Sequence, residues 1–421
     1  MTSRNRWTRP VRDPLTPGAP RRGECPIVPS QRRQRILIAI GLVALALNLR
    51  PGAVSVAPVL TDIRAALAMS ATTAGVLTTL PVLCFAGFGF LAPWCARTLG
   101  VHRVMLVSLV VTALCLVARA TAGSTAVFLA STVPVLAGLA TANVLLPSLV
   151  KLHFPRRIGL MTAVYSTALA VGLSSASVLT VPVADATGSW RGGLAIWGLM
   201  ALVAVVPWLG LVRHDVRPDG PASGGISLRS SAASALAWWM AFFFGLQSLQ
   251  AYAVFGWLPE IFRAAGFSPQ TAGLLLGLTT AVGIPLAFVV PGLTARTTNQ
   301  SPLVLGLCSC YVAGYGGLVV WPVGGAWLWA FLIGVGTALF PLTLTLIGLR
   351  ARTSDGTAAL SGFAQSVGYL LAAAGPFMMG ALFDATSSWT VPLLVLIALV
   401  IPLAVTGVHA AAPQYLEDQL R

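Results

Sequence analysis

The chain has 421 residues, of which 57% are hydrophobic and 9% charged, with a mean hydropathy of +0.85; these values exclude a water-soluble globular domain and define a polytopic membrane protein whose first partner is the lipid bilayer. The net charge of +15 would suit a nucleic-acid binder, but no patch interleaves aromatic with basic residues, so nucleic acid is excluded as a partner and the charge needs another explanation.

In chain order, residues 1–35 are basic and Pro-rich and read as a disordered tail. Apolar runs of roughly 17–25 residues, the length an α-helix needs to cross hydrocarbon, then recur twelve times. They fall near 36–58, 71–92, 103–120, 125–149, 158–183, 192–212, 235–258, 270–292, 303–321, 327–349, 358–382 and 389–409. The runs are continuous rather than alternating, which predicts helices and not barrel strands, hence an all-α integral membrane fold. The first run follows a basic tail and contains "ALALN" (Ala44 to Asn48), like a cleavable signal peptide; it continues to Leu60, as a membrane span does.

Orientation follows from the arginines. With the N-terminus inside, 21 of the 26 basic residues fall on the cytoplasmic side, while Arg64, Arg119, Arg191 and Arg263 fall outside and Arg50 lies within a span. Short cytoplasmic segments retain such an excess, so both termini are expected in the cytoplasm of a multi-pass cell-membrane protein, and the net charge is a topology signal.

Strings recur at an offset of 198 or 199. "DATGSW" (Asp185 to Trp190) returns as "DATSSW" (Asp384 to Trp389), "TAGVL" (Thr73 to Leu77) as "TAGLL" (Thr271 to Leu275), and "ART" at Ala96 returns at Ala295; Ser70 matches Ser268, and Asp62-Ile63 matches Glu260-Ile261. Their collinearity predicts two parallel copies of a six-helix unit, 36–212 and 235–409, joined by a cytoplasmic linker at 213–234 and followed by a tail at 410–421. That is the architecture of major facilitator transporters, which hold substrate between the halves. Ser70 and Ser268 are expected to be N-caps, and Trp190 and Trp389 to lie at headgroup level.

Three longer segments, "LNLRPGAVSVAPVLTDI" (Leu47 to Ile63), "GLQSLQAYAVFGWLPEI" (Gly245 to Ile261) and "LSGFAQSVGYLLAAAGP" (Leu360 to Pro376), resemble the CynX/NimT-type transporters, the cyanate and nitroimidazole group of the major facilitator superfamily. The resemblance covers about residues 36 to 405, with Leu-Arg-Pro in the first span its most specific element. It implies a secondary transporter linked to cyanate uptake or to export of small nitroaromatic drugs. The loop between spans two and three departs from the superfamily signature: "PWCARTLGVHR" (Pro93 to Arg103) puts Arg97 where an Asp belongs, so the usual charge clamp is rewired.

Arg50 is the basic residue inside a predicted span. Arginine at the bilayer centre costs roughly 2.5–3.5 kcal/mol on insertion scales, so it should face a water-filled cleft and pair with something; no acid is available at that depth, and a bound anion is the natural partner. The structural alternative is that Arg50 holds helix carbonyls and Asn48. Pro51 cannot donate to the helical ladder, which frees the carbonyl of Leu47 for a ligand or a side chain. In the second half, Gln247 and Gln250, three residues apart, are expected to share a face with Tyr252 close by, and Ser361, Gln365 and Tyr369 repeat at i, i+4, i+8. Thr162 and Ser166, beside Tyr165, form a smaller stripe. Such polar groups serve either binding or helix–helix contact. The candidate substrate site is therefore Arg50, Asn48, Gln247, Gln250, Tyr252, Gln365 and Tyr369.

Other chemistries fail on spacing. The one lysine, Lys151, has no Gly-rich lead, so there is no Walker A loop. Four scattered histidines and six cysteines without a Cys-x-x-Cys pair offer no metal site, and no enzyme or cofactor is expected. A small-molecule substrate remains as partner, either a small anion or, alternatively, a neutral or aromatic compound for export; a non-transporting sensor has no attached domain to support it. The expected mechanism is alternating access by a monomer, with inner loops at Lys151 to Arg157 and Arg350 to Asp355 as gate contacts and Gly87, Gly89, Gly334 and Gly336 permitting close helix approach.

Overall fold

In lipid a backbone amide has no water to bond, so each apolar run closes its hydrogen bonds internally as a helix. The computed structural model describes residues 29–212 and 228–420, and every regular element among them is helical. α1 (Pro29–Leu49) continues, after a break, through short turns at Pro51–Val54, Ala57–Val59 and Leu60–Ala66. α2 (Ala71–Leu99), α3 (Val101–Ala120), α4 (Thr125–His153), α5 (Ile158–Thr187) and α6 (Trp190–Leu211) complete the first half. The second half holds α7 (Ala235–Ala264), α8 (Pro269–Arg296), α9 (Ser301–Val320), α10 (Ala326–Gly336 and Leu339–Leu349), α11 (Ser354–Ala372 and Ala374–Thr386) and α12 (Thr390–Ala411).

Among the described residues eleven helices are long and apolar enough to cross a membrane. The twelfth, α7, is 30 residues long; Gln247, Gln250 and paired tryptophans dilute its hydropathy because it is buried at the heart of its half. The apolar runs mark the hydrocarbon core, and the helices outrun them by several residues at their polar ends, as α2 does from 92 to Leu99.

The repeated strings are joints. Ser70 and Ser268 each accept from the amide three residues on, Thr73 N at 3.1 Å and Thr271 N at 3.2 Å, as N-caps worth about 1 kcal/mol each. In "DATGSW" and "DATSSW" the helix ends on a left-handed residue, Gly188 (φ 65°) in one copy and Ser387 (φ 49°) in the other. The same bonds follow: Thr187 Oγ1 to Ser189 O and Thr386 Oγ1 to Ser388 O, then Arg191 N to Ser189 Oγ and Thr390 N to Ser388 Oγ. Trp190, at the start of α6, is turned inward and buried against Phe128 at the bundle end.

The halves meet on the side that carries both chain ends. Ser148 Oγ donates to Ser354 O (2.9 Å) and Lys151 Nζ to Gly348 O (3.4 Å), while Gly159 presses on the Pro291 carbonyl and Ala295. Gly89 admits Ser366 and Val144 from the facing helices, whereas Gly87 touches nothing and plays no such part. Gly334 and Gly336 pack on Thr279 and on the Tyr311 ring within the second half. The far segments Leu60–Ala66 and Ala374–Thr386 make their main contacts within their own half, so the interface opens toward the face opposite the chain ends.

The linker expected at 213–234 lies largely outside the described residues, as does most of the expected tail 1–35. The other end, expected to be a plain tail at 410–421, is docked: Leu416 is fully buried, its amide donates to Arg350 O, and Gln419 Oε1 accepts from Ser234 Oγ and Leu236 N. Arg350 and Arg352 accordingly hold this segment and the end of α12, not the opposite half as gate contacts would.

Candidate functional site

α1 breaks at Arg50 because Pro51 has no N–H to continue the ladder and fixes its own φ. Two carbonyls near the break acquire partners from elsewhere. The Leu47 carbonyl abuts Gly172 of α5, where any Cβ would collide with it, so it is packed against backbone and not offered to a ligand. The Gly52 carbonyl accepts from Arg119 Nη1 at 3.0 Å, and Arg119 Nη2 reaches Ser55 Oγ at 3.4 Å.

Arg119 was expected outside the membrane. It is 1% exposed at the end of α3, among the largest fully buried side chains, and its Nε has no partner. Its signal in the sequence was faint: the side chain is long enough to turn inward from the last helical turn, and only a distant backbone carbonyl rewards it.

Arg50 emerges from the same break in the other sense. It is partly exposed, and its guanidinium lies over the ring of Phe340 with 5.1 Å to the centroid. Among the described residues no ion pair reaches it. Around it stand rings from four helices: Tyr369 is 5.1 Å edge-on from both Phe85 and Phe244, and Phe244 is 6.1 Å from Phe340. The Tyr369 hydroxyl lies near Arg50 and Asn143, is buried, and has no completed hydrogen bond. Tyr252 is partly exposed and close to Tyr369. The result is one cation, flat apolar walls and an unsatisfied hydroxyl, which suits a small planar solute bearing negative charge.

The glutamines go elsewhere. Gln250 is 0% exposed; its amide donates to Leu396 O on α12 and its carbonyl accepts from Tyr315 on α9, inside the second half. Gln247 donates to Phe244 O and Ser248 Oγ, and Asn48 donates back to Ala44 O on its own helix. The expected face shared by Gln247 and Gln250 therefore does not converge on Arg50: Gln247 spends its amide on its own helix, and Gln250 ends against α9 and α12. Gln365 does face the other half, where it accepts from Asn143 Nδ2 at 2.6 Å and donates to Ser361 Oγ, which donates to Val144 O. This chain of bonds ties α4 to α11 just beneath Tyr369, and Asn143 escaped the sequence reading because a single Asn in an apolar run has no periodic partner. Thr162, Tyr165 and Ser166 are buried on α5; the Tyr165 and Ser166 hydroxyls lack partners.

Two parallel six-helix halves, with Arg50 at the interface between them, are the plan of a secondary membrane transporter. Residues 36–376 match the Major Facilitator Superfamily, and the chain belongs to that family. It is 38% identical to the uncharacterized transporter YycB of Bacillus subtilis (strain 168), over 92% of this chain and 96% of that one. It is also 34% identical to the 2-nitroimidazole transporter of Escherichia coli (strain K12), over 90% and 96%, and 28% identical to the cyanate transport protein CynX of the same organism, over 81% and 88%. In fold it superposes on the proton:xylose symporter XylE with a TM-score of 0.73 at 14% identity, covering 92% of this chain and 99% of that one.

Proposed function

We propose that this transporter carries a small, flat anion, and that Arg50 is the charge that selects it. The observation that carries the reading is a partly exposed guanidinium at a helix break, among four aromatic rings, with no carboxylate to neutralise it among the described residues. Tyr369 and Tyr252 complete the contact surface; Asn48, Gln247, Gln250 and Gln365 support it by fixing the helices on which it stands. Relatives named for cyanate and for 2-nitroimidazole fit a slot that accepts a thin, planar solute. The nitroimidazole relative favours a second reading, export of neutral aromatic compounds held by Phe85, Phe244 and Phe340 alone.

Transport runs by alternating access in a monomer whose two bodies are 36–212 and 235–409, joined by 213–234. Both termini are cytoplasmic on the excess of arginine at that face, so the present arrangement is closed inward and open outward. Protons, if they move, travel on the substrate, since among the described residues no acid pairs with Arg50.

The test is a thermal-shift panel of cyanate, nitrate, benzoate and neutral 2-nitroimidazole on the purified protein and on Arg50→Gln. An anion should raise the melting temperature of the wild type and leave the folded variant unmoved. Stabilisation by neutral nitroimidazole alone, equal in both proteins, would establish the second reading and sink the first.

A further inference from the structure

Away from the cleft, a groove of about 550 Å³ runs between α5 and α8 on the face that carries the chain ends. Three arginines line it: Arg156 and Arg157 from the first half and Arg296 from the second. All three are exposed, and among the described residues no carboxylate pairs with any of them. Guanidiniums gathered around one concavity repel one another, and an anion placed between them converts that repulsion into attraction. The planar fork of arginine matches the oxygens of a phosphate two at a time.

The groove continues along the membrane-spanning surface. Its wall includes Leu160, Phe288 and Leu293, which are 45–49% exposed although they stand within α5 and α8; at that depth an exposed side chain meets lipid tails. A cationic mouth at the end of two spans, with an apolar trough leading down from it, has the two chemistries of a phospholipid in the right order. At its floor Gly159 packs so tightly on Pro291 O and Ala295 that an added Cβ would collide with both, so the two halves are in contact there.

We propose that this groove is a binding site for an anionic phospholipid, whose phosphate is clamped by Arg156, Arg157 and Arg296 and whose acyl chain lies along Leu160, Phe288 and Leu293. A headgroup held by both halves at once fastens the inward face shut and biases the protein toward the arrangement described here. The site is independent of what the central cleft transports.

The experiment is native mass spectrometry of the protein in neutral detergent, offered phosphatidylglycerol, phosphatidylcholine or soluble glycerol 1-phosphate. Phosphatidylglycerol should be retained, phosphatidylcholine lost under the same activation, and glycerol 1-phosphate unable to displace the lipid. The variant R156Q/R157Q/R296Q should lower phosphatidylglycerol occupancy by about tenfold or more, given roughly additive attraction from each basic residue. Its lipid-free melting should match wild type, because the three side chains hold no ion pair; if the triple variant fails to fold, R296Q alone should still lower occupancy by about threefold. Equal retention of the two lipids, undiminished phosphatidylglycerol on either variant, or displacement by glycerol 1-phosphate, which would mark a soluble-anion site, each overturns the proposal.

Discussion

Two arginines flank one break in α1 and serve different ends. Arg50 looks into the interface between the halves, while Arg119 is sealed behind it with two fingers on Gly52 O and Ser55 Oγ. Because Gly52 follows Arg50 by two residues, Arg119 fixes the backbone from which the Arg50 side chain departs. Hydrogen bonds from a charged donor to buried acceptors contribute about 1.5–3 kcal/mol, so Arg119→Gln should lose stability of that order in thermal unfolding. Arg119→Lys should recover little of it, since a single ammonium nitrogen lacks the rigid fork that places Nη1 on Gly52 O and Nη2 near Ser55 Oγ. Both variants should also weaken any ligand seen to bind through Arg50; full binding with an unchanged melt would remove Arg119 from this role. Arg50 stands out in the sequence as a candidate because an arginine inside an apolar run is costly in lipid and calls for a partner. Arg119 was not, because its acceptor is a carbonyl 67 positions away, and spacing along a chain says nothing about such a partner. The same blindness placed Gln250 in the cleft, whereas α9 and α12 claim it.

Among elements, the bridge from α4 to α11 and the docked C-terminal segment each join parts distant in sequence. Asn143→Ala leaves the Gln365 carbonyl short of its donor; with membrane hydrogen bonds worth roughly 0.5–1.5 kcal/mol, the change should loosen the closed face. The expected sign is faster alkylation of a cysteine introduced at Ser148, and an unaltered rate would mean that the bridge is incidental. The C-terminal segment rests on Glu417, whose carboxylate accepts from the amides of Arg352 and Thr353 and from the Thr353 hydroxyl. Burial pushes this carboxyl up, but those bonds together outweigh it and hold the group below its ordinary value of 4.5. A depressed carboxyl contributes stability that is complete above the ordinary value and is lost as pH falls through the depressed one. The melting temperature should therefore drop below about pH 4.5 more steeply in wild type than in Glu417→Gln, a difference absent at pH 7. Parallel acid profiles would show that Glu417 does not anchor the segment. Breaks and docking were harder to read than spans: hydropathy reports where lipid is, and neither the interruption at Ala373 in α11 nor the grip on residues 416–419 changes it.

For the whole molecule, the closed side is a claim about motion. Ser148 and Ser354 touch across the halves here and must part if the cleft is ever to open inward. Cysteines at both positions, joined by a short reducible cross-linker, should stop transport of whatever solute the binding panel identifies, with recovery on reduction; each single cysteine should transport normally. Continued transport by the linked protein would refute rocking about this interface. The duplicated six-helix plan itself was legible, because repeated strings survive where helices must stop, turn and start. Those strings encode joints, with the same caps and a left-handed residue at the same place in each copy, while the position equivalent to Arg50 in the second half is a serine, Ser248. On the function proposed above, scaffold and specificity are written in separate residues. A descendant could exchange Arg50 or its surrounding rings and acquire a new cargo while inheriting every hinge intact, so a single ancestral chassis can supply a diverse set of carriers without relearning how to fold.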